Sequence, residues 1–387
     1  MVLGQGLAAT HFAVGLERLK KGEIKPHGIP LADLDLGYEF ENIEIVGSVD
    51  VDARKVGLDA YTVAGELYGM ENIPETLKKI KIFAGLEFAS LSDMNIPIRS
   101  LDAEVSPLEA VEEFYETIVR LSPDVFIDVC TTQNAAPVYS LEKFEKQLET
   151  GQVSPSQVYA YLALRYSSEY KPVGYVNLIP TPVANNPGFV EAAVKAGAVV
   201  LGDDGATGAT PLTADILEHM RERNRRVYSI AQFNIGGNTD FLALTDEARN
   251  KAKELTKSSI VADILGYEPP HFIKPTGFLE PLGDKKFVAM HILFESFNGA
   301  VDEIIVNMRI SDSPALAGYM VDLARLAKLA LDKGLAGTIY QINAFYMKKP
   351  APPGSKNMAR ILAYQNLLNF VEKLKTGTIL EESIQYR

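Results

Sequence analysis

The chain is poor in cysteine, and it contains no long hydrophobic run. A single cysteine among 387 residues excludes an intramolecular disulfide, and with it the disulfide-stapled folds of small secreted proteins. No stretch approaches the ~18 uninterrupted apolar residues that a membrane span requires. The first residues lack the basic and apolar regions of a signal peptide. We therefore expect a cytoplasmic protein without a membrane partner.

Positive charge is also scarce, since the net charge is −12. An acidic surface repels phosphate backbones, so we expect no nucleic-acid partner, and an anionic ligand would need a local basic site. The G-x-S-x-G motif of serine hydrolases and the H-E-x-x-H motif of zinc proteases are both missing. The five histidines are scattered, and Cys130 is interpreted as a core residue. The question of a metal stays open at this stage.

Up to about residue 210 the sequence alternates between strand and helix patterns. Strand patterns lie at 43–52, 124–130, 173–180 and 198–204. Helix patterns lie at 7–20, 107–121, 154–166 and 187–197. This alternation predicts a parallel sheet with helical crossovers.

After residue 210 the pattern changes to long strands, at 226–237, 286–297 and 303–310, with a single helix at 245–265. The alternation resumes at the end of the chain, where a helix from Pro314 to about Lys333 precedes a strand-like run at 338–347 and a helix at 357–374. We infer an α/β protein in which a mixed or antiparallel second domain is inserted into the first.

The opening stretch carries a G-x-G-x-x-A pattern made by Gly4, Gly6 and Ala9. In dinucleotide-binding folds such a turn brings the backbone close to a pyrophosphate, and the following helix directs its N-terminal amides at it. Asp50 and Asp52 are candidates for the acid that binds the adenosine ribose, at about twice the usual ~20-residue distance. An ordinary structural turn is the alternative.

Only Met1 to Leu3 precede this turn, where a full strand is usual. We interpret this as an N-terminal shortening, and we expect those residues to form a short parallel strand that still positions Gly4.

A second glycine loop at 202–210 joins a strand to a helix that begins near Pro211. Thr207 and Thr210 offer hydroxyl groups, and Gly208 allows backbone amides to approach an anion, so this helix start is a candidate phosphate site. The alternative is an ordinary helix entry with Thr210 as its N-cap.

Several lysines are placed to meet an anion. Arg249, Lys253 and Lys257 share one helical stripe with Ile260 and Ile264, so positive charge runs into an apolar face. An inward stripe would favour an anionic ligand, whereas an exposed N-terminal half of the helix is the alternative.

Two further lysines lie next to apolar runs. The strand period places Lys286 on the apolar face of its strand and Lys285 on the opposite face. Lys348 follows an apolar run, with Lys349 as its exposed neighbour. A surface role is the alternative for each. The turn at 233–241 and Asp312 at a helix start are weaker candidates for polar contacts.

Taken together, these segments resemble the myo-inositol-1-phosphate synthase family over nearly the whole chain. The resembling segments, in order, are LGQG at the start, VDVDARKVG (49–57), GDDGATGAT (202–210), NIGGNTD (234–240), KELTKSSIVADIL (253–265), GDKK (283–286), DSPALAG (312–318) and YMKKP (346–350).

The resemblance implies an NAD-dependent synthase that converts D-glucose 6-phosphate to inositol 1-phosphate, a compound also numbered as the 3-phosphate. In the family, oxidation at C5 acidifies C6, an enolate closes on the C1 aldehyde, and the ketone is reduced again without net redox change. The resemblance also implies a homotetramer. The NAD-binding domain would be a Rossmann-type parallel sheet at 1–209 and 311–387, with an inserted α+β catalytic and tetramerisation domain at 210–310.

The resemblance also implies the site residues. The family's four active-site lysines correspond to Lys253, Lys257, Lys286 and Lys348, with Lys253 assisting hydride transfer and Lys286 and Lys348 serving enolisation and ring closure. The substrate phosphate would be held by Thr207, Gly208, Ala209, Thr210 and Lys257. The cofactor-side residues would be Gly4, Gly6, Leu7, Ala8, Ala9, Asp50, Thr131, Thr132, Asp204, Asn238, Asp240, Asp284, Asp312 and Ser313.

Two departures from the family pattern affect the phosphate loop and the nicotinamide side. Ala206 stands where the family has lysine and Ala209 where it has glutamine, while CTTQN at 130–134 matches only loosely. These departures keep a second reading open, namely another NAD-dependent oxidoreductase or isomerase acting on a sugar phosphate or polyol. A non-catalytic NAD-binding protein is a third reading, which the intact lysine set disfavours.

Overall fold

The computed structural model describes residues 1–92, 94, 96–238, 241–242 and 259–377. The strands are β1 (Val2–Leu3), β2 (Ser48–Asp50), β3 (Ile82–Ala84), β4 (Val125–Asp128), β5 (Gly174–Asn177), β6 (Val199–Leu201), β7 (Arg226–Gly236), β8 (His271–Phe278), β9 (Lys285–Glu295) and β10 (Val301–Ser311). The longer helices are α1 (Leu7–Lys20), α2 (Pro107–Leu121), α3 (Leu141–Leu148), α4 (Pro155–Glu169), α5 (Pro187–Ala196), α6 (Thr210–Glu222), α7 (Asp312–Asp332), α8 (Tyr340–Tyr346) and α9 (Arg360–Thr376). Residues 259–265 are also helical.

The first six strands form one parallel sheet in the order β3-β2-β1-β4-β5-β6. In this order the strand sequence reverses between β1 and β4, and ligands of such sheets bind beyond the carboxyl ends of the strands at that point. The arrangement is the Rossmann type, as expected. β1 is short and parallel, with Val2 opposite Ser48 on one side and Ile127 on the other.

Alternate strand residues point to opposite faces of this sheet and enter two separate cores. Leu3, Phe126 and Tyr175 lie in one core, which α2, α4 and α5 cover. Val2 and Ile127 lie in the other, which α1 and the C-terminal helices α7, α8 and α9 cover. The helices that follow the second sheet in the chain therefore complete the first sheet.

The second sheet is mixed, with the order β10-β9-β7-β8. β7 pairs parallel with β8 and antiparallel with β9, and β9 pairs antiparallel with β10. One face of this sheet packs against α6 and the helical residues 259–265 around a core that includes Ile260 and Ile264. The inserted α+β unit is thus present, and it lies between β6 and α7 in the chain.

One predicted element is wrong, and strands β3 and β8 and helix α3 were not predicted. The strand-like run at 338–347 is wrong, because residues 340–346 form helix α8, in which Ile342, Asn343, Ala344 and Tyr346 are all buried. A helix that is buried on most sides has no polar stripe in its sequence, so its β-branched and aromatic residues give a pattern typical of a strand. Strand β8 was missed, because Pro275 interrupts its pattern; β8 is an edge strand, where proline is tolerated.

Helix α7 fixes the long loop that follows α1. The buried Asp322 carboxylate accepts hydrogen bonds from the Leu31 amide (2.9 Å) and from Arg325 (2.5 Å). Gly318, one turn earlier on α7, lies against the loop at Gly28. Within the described residues, no helix combines the length and apolar character needed to cross a membrane.

We predict that Gly318→Ala destabilises the protein. A β-carbon at this position would overlap the carbonyl oxygen of Gly28, so backbone must move, at a cost of about 1–3 kcal/mol. Gly15→Ala is the control, because α1 leaves open space at Gly15 and alanine is the better helix former by about 1 kcal/mol. Denaturant titration at one fixed protein concentration measures the free energy of unfolding of both variants. A Gly318→Ala variant as stable as Gly15→Ala would contradict the close packing of Gly318 against Gly28.

Candidate active site

A cleft lies at the carboxyl edge of the parallel sheet, where the second sheet meets it; we call it the central cleft. It is lined by Gly6, Leu7, Ala8, Val129, Cys130, Thr131, Thr132, Leu178, Ile179, Pro180, Asp204, Gly205, Thr207, Asn238, Lys286, Asp312, Ser313, Leu316 and Lys348. The lining comes from strand ends of the first sheet and from β9 of the second sheet. It also includes the starts of α1 and α7 and the segment that follows α8. Sequence positions more than 300 residues apart meet here.

The opening glycine turn has the geometry that the sequence predicts. Gly4 has φ +91°, and a β-carbon there would lie 2.8 Å from the backbone of Cys130, so only glycine fits. A β-carbon on Gly6 would meet nothing within 4 Å, which leaves the approach to the start of α1 open. Ala9 is buried against the core. No side chain caps α1, and its first turn carries no acidic residue.

A second cavity of about 620 Å³ adjoins the same turn on the side of β2; we call it the outer cavity. Gly4, Gly6 and Thr131 line it together with Asp50, which ends β2. Its volume lies within the ~300–1,000 Å³ of small-molecule sites. Gly6 and Thr131 line both cavities, so one extended ligand could reach from Asp50 to the central cleft.

Lys348 reaches the central cleft from the segment after α8 and pairs with Asp204, at 2.7 Å between Nζ and Oδ1. The two side chains are only 6% and 3% exposed. The backbone is paired as well, because the Lys348 amide donates to the Asp204 carbonyl at 2.7 Å. As predicted, Lys348 is buried while Lys349 is exposed.

Arg360 holds the end of α8 in place behind Lys348. Its guanidinium donates to the carbonyls of Ala344 (2.6 Å) and Met347 (2.9 Å), which are left without helical partners where α8 ends. Burial lowers the pKa of Arg360 to about 10. A cation at a helix C-terminus is favourable, so Arg360 stabilises the segment that carries Lys348.

Lys286 enters the cleft from β9 and pairs with Asp312 at the start of α7. Lys286 lies on the buried face of β9, as its spacing predicts. Asp312 also accepts a hydrogen bond from the Thr207 hydroxyl at 3.0 Å. A β-carbon built on Gly208 would lie 3.9 Å from both Asp312 and Lys286. The second glycine loop therefore lies beside this lysine.

A third polar group links the turn after β7 to α7. Asp284 accepts hydrogen bonds from the Ser313 hydroxyl (2.6 Å) and amide (3.0 Å), and from the Asn238 side chain (3.3 Å). Asp284 also acts on His11 of α1, whose pKa is lowered by burial and partly restored by this carboxylate. Asp240, predicted in the same cluster, lies outside the described residues.

The second glycine loop begins α6 one residue earlier than expected. Ala209 rather than Thr210 occupies the N-cap position, and no side chain caps the helix. Thr207 lines the central cleft, whereas Gly208, Ala209 and Thr210 are not among its described lining residues. Positions 206 and 209 are both alanine, so this loop brings neither a charge nor a side-chain amide from them. Ala206 is also fully buried.

Lys253 and Lys257, the other two predicted lysines, and Arg249 lie outside the described residues. The apolar end of their stripe is described, and Ile260 and Ile264 are both buried.

The two aspartates of the Gly-Asp-Asp sequence face opposite ways. Asp204 faces the central cleft, whereas Asp203 is buried in the fold. The Asp203 carboxylate accepts five N–H groups, from the backbone of Val183, Ala184 and Asn185 and from the side chains of Asn177 and Asn185, at 2.7–3.2 Å. Burial raises the pKa of Asp203, and these hydrogen bonds act in the opposite direction.

The sequence reasoning named Thr131 and Thr132 after β4, but it missed Val129 and Cys130 beside them and the whole segment that follows β5. Val129 and Cys130 line the cleft after β4, and 178–180 line it after β5. The strand patterns at 124–130 and 173–180 could have indicated them, because strand ends of a parallel sheet share one edge. Burial raises the pKa of the Cys130 thiol well above its usual value. Among the described residues, no group of three or more His, Cys, Asp or Glu side chains is arranged to hold a metal ion.

Comparison with known proteins finds relatives that match nearly the whole chain. The sequence model of the family described as "Myo-inositol-1-phosphate synthase" matches residues 208–313. The crystal structure of a myo-inositol-1-phosphate synthase-related protein from Thermotoga maritima MSB8 is 48% identical, with a TM-score of 0.90 over 96% of this chain and 97% of that one. The inositol-3-phosphate synthase of Corynebacterium glutamicum is 26% identical over 93% of this chain and 95% of its own length. The Caenorhabditis elegans inositol-3-phosphate synthase, 18% identical with a TM-score of 0.80, shares the fold.

Fold and comparisons together define an enzyme of the Rossmann type with an inserted α+β domain. With 48% identity to a relative that it covers almost completely, the chain belongs to the myo-inositol-1-phosphate synthase family.

We predict that Asp203→Asn lowers the free energy of unfolding by about 2–4 kcal/mol, because the new amide group turns a donor toward donors in a buried site. Asp35→Asn is the control. Asp35 pairs with Lys375 on the surface, so this variant should unfold like the parent protein. Denaturant titration of the three proteins measures the difference. Equal stability of Asp203→Asn and Asp35→Asn would show that this hydrogen-bond network is not needed.

Proposed function

We propose that this protein is an NAD-dependent inositol-phosphate synthase that cyclises D-glucose 6-phosphate to inositol 1-phosphate without net redox change. The observation that carries the proposal is the convergence of the dinucleotide turn with two buried lysines, Lys286 and Lys348, in one cleft. Membership of the family and likeness to the inositol-3-phosphate synthases of Mycobacterium tuberculosis and Corynebacterium glutamicum support it.

The residues present fit NAD. The glycine-only turn at Gly4, the open approach at Gly6 and the uncapped start of α1 would hold the pyrophosphate. Asp50 would accept the adenosine ribose hydroxyls in the outer cavity, and Thr131 and Thr132 lie toward the central cleft. When bound, NAD supplies reversible hydride acceptance at the substrate.

The lysines would then act on the substrate's oxygen atoms. Lys348 and Lys286 each hold an ammonium group in a largely buried cleft, where a developing enolate or alkoxide is stabilised far more than in water. Asp204 and Asp312 keep these ammonium groups in position. Lys253 and Lys257 would complete the set through hydride transfer and phosphate binding.

The substrate phosphate would lie at the second glycine loop. Thr207 is already in the cleft, and the uncapped start of α6 at 208–210 leaves amides for an anion. Ala206 and Ala209 favour a second candidate, because they withhold a charge and an amide that the family usually provides. In that case the protein would be another NAD-dependent oxidoreductase or isomerase of a sugar phosphate or polyol.

Incubation with NAD and glucose 6-phosphate, followed by phosphorus NMR, separates the two functions. We expect an inositol phosphate product while the 340 nm absorbance of NADH stays flat. Lys348→Met should lower turnover by about a hundredfold or more, because a charge that stabilises the transition state is lost. Lys349→Met, which changes the exposed neighbour, should keep normal turnover.

Stoichiometric NADH with an oxidised sugar would establish the second candidate. Normal turnover in Lys348→Met would remove this lysine from the mechanism.

We also propose that residues 1–209 and 311–387 form the NAD-binding domain, and that 210–310 form the catalytic and tetramerisation domain of a cytoplasmic homotetramer. The second sheet supports this, because the face away from α6 exposes Tyr228, Phe233, Phe272 and Ile305, the last at 63%. Exposed apolar patches of this kind are typical of subunit interfaces.

Light scattering of the purified protein should therefore give a mass about four times that of one chain. Ile305→Lys should lower this mass, because it places a charge on the exposed face of β10. Tyr139→Lys, at an exposed position of the first domain, should leave the mass unchanged. A monomer, or a tetramer in all three proteins, would contradict the assigned interface.

A further inference from the structure

Two aspartates of the inserted α+β unit hold the start of helix α9. Asp215 of α6 accepts the amide of Ile361 at 3.1 Å, and α9 has no side-chain cap of its own. Asp263, which lies in the helical residues 259–265, accepts the amide of Asn357 at 2.9 Å. Both of these helices pack against the second sheet. The segment that leads into α9 is therefore tied to the inserted unit.

The side chain of Asn357 lies between a carboxylate and a guanidinium. Its Nδ2 group donates to Oδ2 of Asp263 at 3.2 Å, and its Oδ1 atom accepts from Nη2 of Arg360 at 3.4 Å. Asn357 is buried, with 6% of its surface exposed. A carboxylate needs a donor and a guanidinium needs an acceptor, and the asparagine amide carries both. One neutral side chain thus joins the two charged groups.

Arg360 continues this connection to Lys348. The same Nη2 group donates to the carbonyl oxygen of Met347 at 2.9 Å, and the carbon of that carbonyl is bonded to the nitrogen of Lys348. The other acceptors of the guanidinium are the backbone carbonyls of Ala344 (2.6 Å) and Met358 (3.0 Å). Asn357 is the one side chain among these acceptors, so it can be replaced without removing a backbone contact.

We propose that Asn357 is a positioning residue for Lys348, because it holds Arg360 against the end of α8 and ties this contact to the inserted unit through Asp263. The inference rests on the proposed function, since it requires Lys348 to act on the substrate. Lys286 belongs to β9 of the inserted unit, whereas Lys348 follows α8. The tie through Asn357 therefore fixes one lysine relative to the other.

The kinetics of Asn357→Leu test the proposal, because leucine keeps the size of the side chain and the backbone bond to Asp263 but removes both amide contacts. We expect kcat with glucose 6-phosphate to fall about tenfold to a hundredfold, since a reacting group displaced by ~1 Å loses that much rate. KM for glucose 6-phosphate and the calorimetric Kd of NAD should change by less than about twofold. Asn357 lines neither the central cleft nor the outer cavity.

Two further variants isolate the cause. Adding Asn357→Leu to Lys348→Met should slow Lys348→Met no further, because no lysine is left to position, whereas a general loss of structure would multiply the two effects. Asn369→Leu makes the same change at an exposed position of α9 and should keep the parental kcat. Thermal unfolding checks each variant, and Asn357→Ala replaces Asn357→Leu with the same expectation if the latter does not fold.

Three results would overturn the positioning role and leave the proposed function intact: parental kcat in Asn357→Leu, a defect confined to KM or NAD affinity, or a double variant slower than Lys348→Met. A parent protein that makes no inositol phosphate from glucose 6-phosphate would contradict the proposed function, and the inference with it.

Discussion

Lys286 and Lys348 carry their ammonium groups into a part of the protein from which water is largely removed. An unpaired charge there would cost several kcal/mol, so each lysine requires a carboxylate at hydrogen-bond distance. The carboxylates come from distant parts of the chain, namely the loop after β6 and the start of α7. The Lys286–Asp312 pair joins β9 of the second sheet to α7, which covers the first sheet, and the Lys348–Asp204 pair joins the segment after α8 to the loop after β6.

The same requirement explains how the cleft is built around the pairs. Asp203 turns inward and is held by five N–H groups, which fixes the backbone from which Asp204 points into the cleft. Arg360 performs the corresponding task for Lys348 by binding the carbonyls at the end of α8. The residues that face the cleft are thus positioned by buried polar contacts behind them. Asp203 and Arg360, which make these contacts, do not line the cleft themselves.

Much of the parallel sheet could be predicted from the sequence, because its strands and helices alternate and are separated by clear caps. Helix α2 matches the predicted 107–121 at both ends, where Ser106 caps its start and Ser122 ends it in a left-handed conformation. The inward position of Lys286 followed from the strand period alone. α8 could not be predicted, because burial on most sides removes the polar stripe that marks a helix.

The cleft itself was only partly predictable. Its glycine turns and lysines have local patterns, and these were found. The pairing of Asp204 with Lys348, the inward turn of Asp203 and the support from Arg360 depend on contacts between segments far apart in sequence, and no local pattern records them.

The position of Lys348 in the chain has a consequence for how the protein is made. Its carboxylate partner lies 144 residues earlier, and the loop after α1 is held by Asp322, 291 residues beyond Leu31. A nascent chain that has just completed the six strands of the first sheet still lacks α7, α8 and α9, three of the helices that cover one of its faces. Until they emerge from the ribosome, α1 alone covers part of that face, and the rest stays exposed. Folding dominated by such distant contacts is slow, and the exposed sheet is vulnerable to aggregation during that interval.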